Sequence, residues 1–527
     1  MLEKNRARFL SVLFIITSYL FLAVASNTNF EFSRVPQEHY QYLTQGFLSG
    51  HLHLSLAPKE ELLKLSDPYN PIQNNALRLH DASLFHGKYY LYFGPLPVVA
   101  FFLPVRLLTG LFPSELSSVF FFLSLGFIIS FLLLSKIKDK YFPHIPESQL
   151  LFAGLILGFS SNAPFLLDRP FFYEAAISSA FCFMVIAIFF LYELLTSIFK
   201  IKNIFLFSLF LTLTIAGRPH FALLSFFLIP AVLYYLSKHV PKNQLILSII
   251  ALLAPALCIT FSLGLYNYLR FDSVFEFGQN YQLAAFDIRH QALFHVSHIC
   301  QNFLSGIFYY FFQPYRLVMQ FPYLHLGWPL LSNSAYHVEA MTGIFWSMPI
   351  VLFFCAILPV FLKWYRESKN TGRGPLFLFM AFSIPLPIII ILFLCLLSGA
   401  TQRYEMDFTP YLLILSIISF WLLQDYLTPA KFKIAKKIFS LTGVIGIYAG
   451  ISVSLWMWQL PSLHFNVGSR ILELDLNRVI LYTLIARVIY YICSKKRASL
   501  GRQILSLFNL VDYDKDYNYK THRSRKK

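Results

Sequence analysis

Long runs of apolar residues, interrupted by short polar stretches, set the dominant pattern of this chain. Phe9 to Ala25, Leu116 to Leu134, Leu150 to Leu167, Leu245 to Tyr266, Met341 to Leu362 and Leu376 to Leu397 are such runs. Each approaches the ~17–25 residues that a helix needs to cross a hydrocarbon core. Lipid offers the backbone no hydrogen-bond partner, so segments of this kind are expected to be helical. Shorter apolar stretches, Ile204 to Ala216 and Phe221 to Leu236, lie on either side of Arg218-Pro219-His220. The pattern as a whole predicts an all-α polytopic membrane protein with about twelve transmembrane helices.

One apolar stretch breaks the pattern. Gly94 to Leu111 carries Pro95, Pro97, Pro104 and Arg106, and each interior proline removes a backbone hydrogen bond. It is expected to lie along the outer surface without crossing. Two long polar segments remain, 26–94 and 267–340, and the first holds turn-forming residues such as Asp67-Pro68-Tyr69-Asn70-Pro71. The expected organisation is a module over 1–340 with these two segments as outer loops, further transmembrane helices over 341–493, and a basic cytoplasmic tail over 494–527.

Composition agrees. Hydrophobic residues make up 57% of the 527 and charged residues 13%, about half the ~25% of soluble domains. The six cysteines are scattered without CxxC spacing and read as small apolar residues. A formal net charge of +17 could suggest nucleic acid, but its distribution points to topology. With the N-terminus inside, 28 of the 43 lysines and arginines fall on inner segments and 17 of the 26 acids on outer ones. That is the positive-inside asymmetry, and it places both termini in the cytoplasm.

Acids and arginines at the outer helix ends are the candidates for chemistry. Glu38, in Pro36-Gln37-Glu38-His39-Tyr40, lies just past the first helix, where partial desolvation would suit a carboxylate to proton transfer. Asp81 follows in the same loop, ahead of the aromatic stretch Tyr89 to Phe93, and Asp168-Arg169-Pro170 and Glu174 follow the third span. Arg218 sits in a short outer turn between apolar stretches, a costly place that calls for a partner. Either a lipid phosphate, matched by the guanidinium fork, or a structural pair with Asp168 or Glu174 would serve. Arg403 belongs to a second dense cluster, Gln402-Arg403-Tyr404-Glu405-Met406-Asp407. His290, His295, His298, His325 and His337 have no metal-ligand spacing.

The ordered set of these features resembles the GT-C superfamily of membrane glycosyltransferases, especially the family of aminoarabinose and protein mannosyl transferases. The likeness runs through Pro36 to Tyr40, then Phe47-Leu48-Ser49-Gly50, the proline-containing segment from Gly94, Asp168, Arg218 and the long loop from Asn267. It covers about the first 340 residues. The family's usual first-loop aspartate falls on Gln37, which leaves Glu38 as the acid there. The stretch Leu65 to Gly94 also resembles a poorly characterised bacterial subgroup.

The resemblance implies an inverting transfer of sugar from a polyprenyl-phosphate donor to a lipid, glycan or protein acceptor, on the outer face of a bacterial inner membrane. It implies Glu38 as base, with Asp168 and Asp81 orienting the substrates. Arg218 and Arg403, with His39 and Tyr40, would bind the donor and its phosphate. Some relatives use a divalent ion such as Mg or Mn, although this sequence shows no ligand set for one. A non-catalytic protein binding lipid-linked sugar, or a flippase, fits the same residues. A flippase, however, predicts ionisable groups near the middle of spans, whereas these acids cluster at outer helix ends.

Overall fold

The computed structural model describes residues 2–25, 32–197, 199–289, 298–313, 336–339, 341–368 and 372–457. The basic tail, His290, His295, His325 and the centre of the second outer loop lie outside these residues. The principal helices are α1 (Leu2–Ala25), α2 (His39–Leu48), α3 (Glu115–Tyr141), α4 (Glu147–Phe159), α5 (Ala163–Asp168), α6 (Phe172–Thr196) and α7 (Ile201–Leu213). They continue with α8 (Ala222–His239), α9 (Lys242–Phe271), α10 (Leu352–Ser368), α11 (Gly374–Ser383), α12 (Pro385–Leu396), α13 (Thr409–Tyr426) and α14 (Pro429–Met457).

The chain is an all-α, multi-pass membrane protein. Among the described residues, eight helical segments are long and apolar enough to cross a bilayer, against the about twelve expected. Three further apolar helices, Val98–Thr109, Glu147–Phe159 and Ile201–Ala216, are shorter. The first of these, at ~1.5 Å per residue, reaches about 18 Å and cannot span a ~30 Å core alone. Leu107 and Leu108 on it are exposed.

Two expected spans are broken for local reasons. Leu150 to Leu167 divides into α4 and α5 at Ser160-Ser161-Asn162, where Pro164 enters the next helix near its start. Met341 to Leu362 begins as a single turn, Ile344–Ser347, before Pro349 opens the longer helical stretch. Ser114 caps α3 by accepting the Ser117 N–H at 3.3 Å. Gly126 lets α3 close on α6, since a Cβ there would stand 2.3 Å from the Phe181 ring.

Strands are few and short. β1 (Phe32–Ser33) pairs antiparallel with β4 (Phe112–Pro113), tying the start of the first outer loop to the end of the proline-rich segment. β2 (Ser83–Phe85) and β3 (Lys88–Tyr90) form a hairpin. Its two-residue loop, His86-Gly87, has φ of 45° and 70°, the doubly left-handed geometry that suits a twisted hairpin. β5 (His337–Val338) runs parallel to β6 (Gly399–Ala400), fastening the end of the second outer loop beside the end of α12.

Ion pairs mark the end of the bundle assigned to the cytoplasm. Arg8 grips Asp139 with Nη1 and Nη2, both at 2.8 Å, and Lys138 reaches Glu147 at 3.0 Å. Lys136 pairs with Glu193 at 2.6 Å and Arg373 with Asp425 at 2.7 Å. Five chain segments expected on one side of the membrane therefore meet there.

Candidate functional site

The opposite end is organised by one seven-residue stretch, Thr401 to Asp407, most of it a 3-10 turn between α12 and α13. Its side chains reach out to separate parts of the protein. Gln402 donates to Asn162 Oδ1 at 2.8 Å and accepts the Thr342 N–H at 2.7 Å. Glu405 accepts from Asn162 Nδ2 at 3.0 Å and from Gln402 Nε2 at 2.7 Å. Burial raises its carboxyl well above the usual range, against those two amide donors. Asp407 is clasped by Arg218 Nη2 at 2.6 Å and by His220 Nε2 at 3.2 Å. Burial would push the Asp407 carboxyl up, yet the Arg218 guanidinium, with His220 beside it, outweighs burial and holds the carboxyl low.

Arg403 points from the same turn toward a cavity of about 390 Å³. Its Nη2 donates to Glu339 Oε1 at 2.7 Å, and its guanidinium lies over the Tyr173 ring, 4.6 Å from the centroid. Nη1 stands 3.9 Å from the fully buried Glu174, while Nε and Nη1 have no hydrogen-bond partner among the described residues. Thr401 Oγ1 donates to Glu339 Oε2 at 2.8 Å, and Arg169 Nη1 lies 3.7 Å from that oxygen. Tyr92, Tyr173, Tyr336, Tyr404 and Phe286 give the cavity aromatic walls, and His80, His337, Gln279 and Gln282 add polar groups. Two arginines, two cavity carboxylates and several ring faces are thus gathered in one concave space, the composition expected of a ligand site.

Asp81 lines this cavity. Its backbone is left-handed, with φ of 58°, a conformation that costs a non-glycine residue about 1 kcal/mol or more and recurs at functional sites. Leu283 O accepts its N–H at 3.0 Å, so the second outer loop pins it there. Its carboxylate accepts a hydrogen bond from the Tyr173 hydroxyl and faces His80 Nε2 at 3.7 Å.

The other expected site residues sit beside the cavity without lining it. Glu38 accepts the Glu115 N–H at 2.7 Å and Gln41 Nε2 at 3.1 Å, so its carboxylate closes the start of α3. This is favourable both as a cap and toward the helix dipole. His39 stacks on Phe172 at 4.1 Å between centroids and meets His80 O at 3.0 Å through Nε2. Burial pushes its pKa down to about 4, the His80 carbonyl and Asp81 opposing.

Tyr40 is wholly buried and stacks on Phe102 at 5.6 Å, its hydroxyl 3.5 Å from Gly94 O. Gly94 must be glycine for this layer to close, because a Cβ would fall 1.8 Å from Ala216 O. Asp168 ends α5 and its carboxyl is raised well above its ordinary range by burial, while its neighbour Arg169 reaches the cavity. Arg218 gives Nη2 to Asp407, while its Nε has no hydrogen-bond partner among the described residues, so of the partners weighed from sequence neither Asp168 nor Glu174 is the one it finds. Its guanidinium also lies over Tyr404, 4.9 Å from the ring centroid.

Glu339, Arg169 and Tyr173 take central places that the sequence reading had not assigned. Glu339 had left one signal: it is the sole acid between Asp287 and Glu367. Among the described residues no three His, Cys, Asp or Glu side chains converge as a cation site.

No family model and no curated protein matches this sequence. Among solved structures, the chain shows a distant likeness to ArnT from Cupriavidus metallidurans bound to undecaprenyl phosphate. Identity is 12% and the TM-score 0.41, over 85% of this chain and 75% of that one. The apo state of the same protein gives 11% identity and a TM-score of 0.40, over 85% and 76%.

Proposed function

We propose that the protein is a GT-C-type membrane glycosyltransferase that moves a sugar from a polyprenyl-phosphate donor to an acceptor, with inversion, in the cavity between the outer loops. The observation that carries this reading is the pairing of Arg403 and Arg169 with Asp81 across one aromatic-walled space at an end of a membrane bundle. The acceptor oxygen attacks the anomeric carbon as Asp81 takes its proton. The bond from that carbon to the phosphate oxygen breaks, and its electron pair leaves with the phosphate. The leaving group passes from a monoanionic diester to a monoester with one more negative charge. Guanidinium groups aimed at that developing charge lower the barrier, and Arg403 and Arg169 both line the cavity where it would form.

Tyr173 holds the Asp81 carboxylate in place. Glu38 has the supporting part of closing α3 next to the His39 ring. The polyprenyl donor follows from the sequence resemblance, and undecaprenyl phosphate is the lipid bound in the ArnT structure. The test is release of free polyprenyl phosphate from a panel of polyprenyl-phosphate sugars by the reconstituted protein. Asp81→Asn and Glu38→Gln are measured beside it. Release by wild type, lost in Asp81→Asn by about 10²–10⁴-fold and largely kept in Glu38→Gln, is the expected result. No release from any donor by folded protein would leave a lipid-sugar binder as the better reading.

A further inference from the structure

Glu339 is placed where a substrate phosphate would have to go. Its two carboxylate oxygens collect Arg403 Nη2 at 2.7 Å and Thr401 Oγ1 at 2.8 Å, with Arg169 Nη1 3.7 Å away. These donors form a receptor for an anion, and the anion present is a side chain of the protein itself.

The two partners of Arg403 differ in freedom. Glu174 is completely buried behind the arginine, whereas the Glu339 side chain is 28% exposed on the cavity side. The backbone of Glu339 is anchored by its N–H to Ala400 O at 3.1 Å, continuing the β5–β6 pairing. Its carboxylate can therefore swing out by side-chain rotation alone.

Charge gives the same answer. Glu174 and Glu339 both stand against Arg403, and Glu339 faces Arg169 as well, so acids already lie opposite the cations of the seat. A phosphate entering beside Glu339 would meet a carboxylate at close range in a partly dry cavity, where like charges repel strongly. Arg169 Nη1, 3.7 Å from Glu339 Oε2, is too far for a hydrogen bond, so the carboxylate leaves one facing guanidinium unused. A phosphate carries more acceptor oxygens than a carboxylate and can use them.

We infer that Glu339 stands in the place of a phosphate, and that a phosphate group binds by displacing it from Arg403 and Arg169. The inference rests on the phosphate-binding reading of those two arginines. It makes Glu339 a specificity residue: weakly held anions leave it in place, and a phosphate able to use both guanidinium groups turns it out.

The experiment is calorimetric titration of farnesyl phosphate into the full-length protein in detergent, comparing wild type, Glu339→Gln and Arg403→Lys. Removing the competing charge should tighten binding in Glu339→Gln by roughly five- to tenfold. Arg403→Lys, which keeps the charge but loses the fork, should weaken it at least about tenfold. Unchanged or weaker binding in Glu339→Gln, with the Arg403→Lys loss intact, overturns the displacement and leaves the seat. Absence of binding to wild type, or no effect of Arg403→Lys, overturns the phosphate reading itself. Should Glu339→Gln not fold, Glu339→Asp retracts the carboxylate by one methylene and is expected to tighten binding as well.

Discussion

Two clusters of arginines and acids, one at each end of the bundle, use the same residue types to different ends. At the cytoplasm-assigned end Arg8 directs Nη1 and Nη2 to Asp139, while its Nε donates to Glu147, which Lys138 also holds. At the other end Arg403 places one nitrogen on Glu339 and leaves Nε and Nη1 unfilled beside a cavity. A guanidinium whose three nitrogens are all bonded is a fastening. One held in front by a displaceable carboxylate and behind by a buried one is prepared for a ligand. Arg218 belongs to neither kind, being buried with Nη2 on Asp407 and lying behind Tyr404 of the cavity wall.

Substitutions can break this contrast or sharpen it. The largest effect is expected for Arg218→Ala, which strands a fully buried Asp407 with only His220 beside it. Loss of one partner from such a pair costs about 3–5 kcal/mol, to be read as a lowered unfolding midpoint in detergent. Retention of full stability would show that Arg218 is free to serve a ligand. Arg403→Lys should act on chemistry instead, lowering transfer about 10²-fold with a much smaller change in unfolding.

A third outcome concerns pH. The pKa of His39 is about 4 in the folded protein, below its ordinary value, so the unfolded chain takes up its proton first. Stability is therefore lost as pH falls from about 6.5 toward 4. His39→Phe, which keeps the stack on Phe172, should flatten that part of the profile; an unchanged slope would assign it elsewhere. Arg8→Ala is expected to be the mildest, about 1 kcal/mol or less with unchanged transfer, since Lys4 and Lys138 still face the same acids. A loss of activity in Arg8→Ala would erase the distinction between the two ends.

Sequence pattern carried the architecture further than the site. Helices were legible because apolar length and the lipid requirement for internal hydrogen bonds leave little choice. Breaks were less so: the split at Ser160-Ser161-Asn162 places Asn162 against Gln402 and Glu405, a tertiary contact that no local pattern announces. Asp81 and Arg403 were identified as candidates and both line the cavity. Glu38 looked reactive because it is an acid near the membrane surface, but the N-terminus of α3, supplied by residues 77 positions later, gives it a capping partner. Arg218 demanded a partner, as its burial required, and found it 189 residues away, beyond the reach of spacing arguments. Glu339 and Arg169 became central only through the short parallel pairing of β5 with β6.

The Thr401–Asp407 turn has a consequence for how the protein is made. Its bonds to Asn162 and Arg218 span 243 and 189 residues. A nascent chain enters the membrane N-terminus first, so Asn162, Glu174 and Arg218 are embedded well before Thr401 leaves the ribosome. Until then each of these polar groups lacks the turn-borne partner it has in the finished protein. Biogenesis should therefore pass through a stage that needs protection, and chains truncated ahead of Thr401 should be cleared by proteolysis. Supplying the missing C-terminal part as a second polypeptide should rescue them.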